Sequence, residues 1–196
     1  MPPLKLVGLA GSYSRPSKSR TLVEEVSALA SERYGFRRRI YDLHDAGPFL
    51  GQAQRFADLD PNGRQLIEDI IAANVLVVGS PTYKGSYPGL FKHLIDLIEP
   101  LALRGKPIVV TATGGGDRHA LMVEHQLRPL FGFFMAHTLP TAIYASDRDF
   151  SDSRIAAESL RQRIVQAVDE LEAFFPVLAR PAAAAEGGWR PLVSAI

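Results

Sequence analysis

The strongest constraint in this chain is an alternation of short apolar runs, each ending at a polar loop, with segments of helical periodicity. Residues 4–10 (LKLVGLA) form such a run and stop at Gly11. Residues 75–79 (VLVVG) and 107–113 (PIVVTAT) are two more, and residues 36–41 and 139–144 are weaker ones. An apolar run without polar alternation suits a strand buried on both faces. Between the runs, residues 21–34 place Leu22, Val23, Val26, Leu29 and Ala30 at helical spacing. Glu24 and Glu25 then fall in the first turn, and Gly35 stops the helix. Further helices are expected at about 64–72, 90–98, 118–134 and 154–175. Residues 42–62 read as irregular, with turn signals at 47–48 and 61–63.

Strands alternating with helices argue for a parallel sheet covered on both faces, because right-handed crossovers place helices there. The expected fold class is α/β: a flavodoxin-like, doubly wound, five-stranded parallel sheet of order 2-1-3-4-5. Residues 1–176 read as one domain. The Ala-, Gly- and Pro-rich residues 177–196 read as a mobile or subunit-wrapping tail.

Composition excludes several chemistries. Lys and Arg total 22 against 21 Asp and Glu, a net charge of +1, which suits neither nucleic-acid binding nor an acidic electron carrier. No cysteine is present, so thiol nucleophiles, thiolate metal sites and disulfides are excluded. No apolar run approaches the roughly 18 residues of a membrane helix, and the amino terminus does not read as a signal peptide. The expectation is a soluble, cytoplasmic protein with no membrane partner. His44, His93, His119, His125 and His137 form no HxH or HxxxH pair, so no metal site is expected. The first apolar run carries no acid for a response-regulator Mg²⁺ site, and no GxSxG elbow exists.

In a sheet of this order, ligands bind at the carboxyl edge where the strand order reverses. Three loops converge there: GSYSRPSKSRT (residues 11–21), SPTYKGSYPG (80–89) and TGGGDRHA (113–120). In the first, Ser12, Ser14, Ser17, Ser19 and Thr21 offer hydroxyls, the helix start offers free amides, and Arg15, Lys18 and Arg20 add charge. That combination suits a terminal phosphomonoester; a Ser-capped helix with a solvated basic loop is the plainer alternative. In the second, Tyr83 flanks either a planar ring or a subunit, and Gly85 permits close backbone approach. In the third, Gly114, Gly115 and Gly116 either bare their amides to a flat ligand or make a simple turn. A planar ligand bearing a phosphate satisfies all three loops, and flavin mononucleotide (FMN) fits best.

The first loop, the segment SPTYKGSYPGLFKHLIDLI and the ATGGG loop together resemble the NAD(P)H-dependent FMN reductases. Within that family they resemble the sulfonate-linked enzymes that feed reduced FMN to a partner monooxygenase. The most specific matches are Pro81, Tyr83, Ser86, Pro88, Gly89, Lys92 and Asp96. The resemblance implies that Ser12, Ser17, Ser19 and Arg20 hold the FMN phosphate. It implies that Pro81, Thr82, Tyr83, Lys84 and Gly85 contact the ribityl chain and ring, and that Thr113, Gly114, Gly115 and Gly116 line the isoalloxazine edge. Many relatives carry Arg where this chain has Ser14, which leaves Arg15 to take the phosphate contact. Hydride transfer from NADH or NADPH to the flavin needs ring stacking rather than a side-chain acid or base, so no catalytic residue is named. A flavin-bound quinone, azo or chromate reductase, or a flavodoxin-like carrier, are the alternatives.

Two features bear on assembly. Pro129 lies inside the expected helix 118–134 and removes the hydrogen bond to the His125 carbonyl, so the helix must kink or bulge near His125. The resemblance implies a subunit contact there. The expected helix 90–98 is apolar over more than one face, which with the resemblance favours a homodimer or tetramer.

Overall fold

The computed structural model describes residues 3–176. Its centre is a parallel sheet of β1 (Lys5–Ala10), β2 (Arg37–Asp42), β3 (Val75–Pro81) and β4 (Pro107–Gly114), ordered β2-β1-β3-β4. Two short strands, β5 (His137–Thr138) and β6 (Ile143–Ser146), both pair with β4 and complete the flavodoxin-like 2-1-3-4-5 arrangement. The expected tail at 177–196 lies outside the described residues.

β3 is buried along its whole length, as its unbroken apolar run requires. Its alternate side chains serve two cores. Leu76 and Val78 join Val7 and Leu9 on one face, beneath α2 (Pro61–Ala72), α3 (Gly89–Asp96) and α4 (Arg128–Phe133), where Ile67, Leu94 and Phe131 complete the packing. Val75 and Val77 join Leu6 on the other, beneath α1 (Lys18–Tyr34) and α5 (Glu158–Asp169), where Val26 and Ile164 do the same. Each such fully buried side chain contributes about 1.5–3 kcal/mol.

The position of α1 depends on two glycines. A Cβ on Gly8 would sit 2.7 Å from Val23, and one on Gly79 would meet Val23 and lie 2.6 Å from the Thr111 hydroxyl. Without those side chains the helix lies close against β1 and β3, with its first turn at the point where the strand order reverses.

Local chemistry moves several boundaries. α1 starts at Lys18 rather than Thr21, because Ser17 is extended and its hydroxyl accepts the Arg20 amide. Glu24 and Glu25 therefore lie beyond the first turn, and Lys18 and Arg20 occupy it. Residues 61–63 open α2 instead of forming a turn: Pro61 suits the first helical position and Asp60 caps the Gly63 amide. The expected fifth strand splits because Pro140 cannot donate to the ladder. The carbonyls of Leu139 and Pro140 are taken by the Arg128 guanidinium, that of Ala142 by Arg163, and the Thr141 amide donates to Glu170. The closing helix is shorter than expected, because residues 150–155 fold into a hairpin of β7 (Phe150–Ser151) and β8 (Arg154–Ile155).

Expected helix 118–134 is not continuous. It comprises a 3₁₀ turn (Asp117–His119), a π turn (Val123–Leu127) and α4. The bulge near His125 is thus a π turn, in which the Arg128 amide reaches back to the Val123 carbonyl and His125 is exposed. The apolar residues of the expected helix 90–98 call for no partner. Phe91, Leu94, Ile95 and Ile98 are buried in the protein's own core, and Leu90 and Leu97 pack against it.

Candidate functional site

The carboxyl ends of β1, β3 and β4 lie side by side: Ala10 neighbours Gly79, and Pro81 neighbours Thr113. A cavity of about 330 Å³ opens between their loops. Ser12, Ser17 and Ser19 line it from the first loop, with Ser14, Pro16 and Lys18. Pro81, Thr82 and Tyr83 line it from the second, and Thr113, Gly114 and Gly115 from the third.

The end of the cavity expected to take a phosphate is built by α1. Of the amides that a helix start leaves open, that of Arg20 is satisfied by the Ser17 hydroxyl and that of Thr21 by the Ser17 carbonyl. The Lys18 and Ser19 amides have no acceptor among the described residues. The buried Ser19 hydroxyl lies 2.6 Å from that of Thr113, pinning the helix start to the end of β4. The Ser12 hydroxyl accepts the Ser14 amide and shapes the loop between.

At the opposite side, Tyr83 and Ser86 exchange backbone hydrogen bonds across a tight turn. Lys84 and Gly85 fill that turn at φ 53° and 88°, so Gly85 takes the left-handed conformation that glycine allows cheaply. Neither of these two residues lines the cavity, while Tyr83, which does, is half-exposed. The Thr82 amide donates to the Thr113 carbonyl, which holds the second and third loops together, and the buried Thr82 hydroxyl has no partner.

The three glycines differ. A Cβ on Gly114 would strike the Tyr144 hydroxyl, which donates to the Gly116 carbonyl at 2.6 Å. Around Gly116 a Cβ would meet open space, and at Gly115 only Asp147, 3.9 Å away. Gly114 therefore serves the packing of the loop. Gly115 leaves the cavity wall bare, and Gly116 does not line it.

Arg15 and Arg20 are placed differently from the phosphate role implied for them. Neither lines the cavity; both grip Asp42, at the end of β2. Arg15 donates twice to that carboxylate at 2.7 Å and once to Asp45, while Arg20 donates to Asp42 at 2.6 Å and to Glu24. The Asp42 side chain is 1 % exposed. Burial by itself pushes its carboxyl up, but the hydrogen bonds from Arg15 and Arg20 outweigh it and hold the group below its ordinary value. A buried carboxylate facing the loop outcompetes solvent for both guanidiniums.

Two lining residues fall outside the three loops singled out by sequence: Asp147, whose carboxylate meets the Lys18 ammonium at 2.8 Å, and Ser153 of the 150–155 hairpin. Both follow β6. The rule that ligands gather at carboxyl ends extends to the loop after the last strand, and that was the available signal. Among the described residues, no group of His, Asp or Glu is placed to hold a metal ion, and no helix is long and apolar enough to cross a membrane.

The chain is similar to known proteins over most of its length. The family profile described as NADPH-dependent FMN reductase matches residues 4–151. The chain is 41% identical to an NADH-dependent FMN reductase, SfnF, of Pseudomonas fluorescens, over 91% of this chain and 96% of that one. It is 40% identical to an FMN reductase (NADPH) of Pseudomonas aeruginosa, over 88% and 93%. Among solved structures, the apo form of an NADH:FMN oxidoreductase, EMOB, superposes with a TM-score of 0.79 at 25% identity, over 90% of this chain and 94% of that one. A serine-lined helix start and a bare glycine edge meeting in one cavity, on a chain so similar over its length, lead to one assignment: the protein belongs to the NADPH-dependent FMN reductase family.

Proposed function

We propose that the cavity seats FMN with its phosphate on the start of α1 and its ring along Tyr83 and the Gly114–Gly116 edge, and that the enzyme reduces FMN as an exchanging substrate. The observation that carries this is the convergence, in one cavity, of the Ser12, Ser17 and Ser19 loop with a wall at Gly115 that carries no side chain. FMN, when bound, supplies the ring that accepts a hydride from NADH or NADPH. The residues of this chain bind and orient. The Lys18 and Ser19 amides and the serine hydroxyls meet the phosphate, Thr82 offers an unpartnered hydroxyl, and Gly115 lets a flat ring approach the backbone. The half-exposed Tyr83 leaves room for a nicotinamide on the open face.

The reduced flavin would pass to a flavin-dependent monooxygenase of a two-component system for sulfonate desulfonation, the reading that the resemblance of the loops to the sulfonate-linked FMN reductases supports. The test mixes the full chain with NADH or NADPH and follows absorbance at the nicotinamide band as free FMN is raised. Oxidation that saturates with FMN and turns over many equivalents of it is the expected result; none above the FMN-free rate overturns the reading. A preparation that keeps bound flavin and prefers quinones to free FMN would instead mark the flavin-bound reductase.

A homodimer or tetramer is part of the same proposal. Supporting it are the exposed His125 in the π turn and the exposed Leu121 and Phe133 on either side in sequence. His125→Ala should shift the oligomer towards smaller species in light scattering and weaken FMN turnover. An unchanged mass and unchanged FMN kinetics would remove the π turn from the interface.

A further inference from the structure

Every cation of the first loop already has a carboxylate partner. Arg15 and Arg20 hold Asp42, behind the seat. Lys18 is the one that lines the cavity, and its ammonium lies 2.8 Å from Asp147 Oδ1. Asp147 lines the same cavity, with Oδ2 3.9 Å from the place that a Cβ on Gly115 would take. One carboxylate therefore stands between the phosphate end of the seat and its ring edge.

The two side chains are 37% and 61% exposed, so this pair adds little to the stability of the fold. Its consequence falls on the ligand. A phosphate dianion arriving at the start of α1 meets a lysine whose charge is already matched, and a second anion beside it. What remains to hold it are neutral donors: hydroxyls and open amides, aided by the helix dipole. Such a seat recognises a phosphate and releases it readily.

We propose that Asp147 keeps FMN exchangeable: by engaging Lys18 and opposing the phosphate, it weakens the hold on flavin and speeds its release. The proposal rests on the seat assigned above. Asp147 is a residue that sets affinity, not one that touches the reacting atoms.

The test titrates the full chain, unchanged and with Asp147→Asn, against FMN and against riboflavin, which carries the same ring without the phosphate. Flavin fluorescence reports Kd. The variant should bind FMN about fivefold more tightly, with the gain larger at low salt. Riboflavin binding and Tm should be unchanged, and both kcat and KM for FMN should fall together as release slows. Adding Lys18→Met to Asp147→Asn should cancel the gain. If Asp147→Asn leaves FMN affinity unchanged or lowers it, while FMN still binds more tightly than riboflavin, the role of Asp147 is overturned and the seat stands. If the phosphate makes no difference in any of these proteins, the seat and the inference fall together.

Discussion

Asp42→Asn should cost the protein about 2 kcal/mol at neutral pH and loosen its hold on FMN. Removing one charge from a buried pair costs about 3–5 kcal/mol when the partners stay buried. Here the Arg20 and Arg15 side chains are 28% and 50% exposed and can rehydrate in part, which brings the loss to the lower figure. The effect reaches the cavity because Asp42 holds the first loop from two directions. Arg15 and Arg20 reach it across the loop, and the adjoining Leu43 amide donates to the Ser12 carbonyl.

The pH dependence has a definite sign. The folded protein holds the Asp42 carboxyl below its ordinary value of 3.8. The stabilisation is therefore complete above about pH 4 and is lost as pH falls through the lower, folded value. Urea unfolding at pH 7 and near pH 3 checks this. The gap between wild type and Asp42→Asn should be wide at pH 7 and should narrow in acid. Equal midpoints at pH 7 would show that the two arginines are indifferent to Asp42.

Gly79→Ala should destabilise the protein by about 3 kcal/mol. The added Cβ would meet Val23 and lie 2.6 Å from the Thr111 hydroxyl and 3.4 Å from the Ser19 carbonyl. Val23 and Thr111 are wholly buried and cannot swing into solvent. The least costly response is for α1 to lift from β3. That would part the Ser19 and Thr113 hydroxyls and open the phosphate end of the cavity, so FMN affinity should fall with stability. Gly115→Ala is the contrast, since a Cβ there meets nothing closer than Asp147 at 3.9 Å and should leave Tm unchanged. A Gly79→Ala protein within about 0.5 kcal/mol of wild type would mean that α1 tolerates a wider spacing than this packing allows.

The architecture was legible because burial on both faces leaves an unmistakable trace: VLVVG at 75–79 can be little other than a central strand, and β3 is one. Strand order followed from the arrangement common to five-stranded doubly wound sheets, and the edge that bears the candidate site from the point where that order reverses. Boundaries were less legible where a single side chain decides them. Ser17 and Asp60 each begin a helix by accepting one amide, and Pro140 divides a strand by lacking one. The bulge at His125 was foreseeable, since Pro129 removes a donor whatever surrounds it.

The charges of the first loop divide sequence from structure most sharply. By itself the sequence determined the α/β order, the absence of thiol chemistry and the convergence of three small-residue loops, because these depend on residue type and spacing along the chain. It showed Arg15, Lys18 and Arg20 in a stretch free of acids. Only the tertiary structure decided what those cations face: Asp42 from the end of β2, and Asp147 from beyond β6, 129 residues away from Lys18. Electrostatic pairing acts over a few ångströms in space and is blind to separation along the chain. A loop that reads as positively charged thus folds with its three cations matched by carboxylates, and hydroxyls and open amides are what it turns to the cavity.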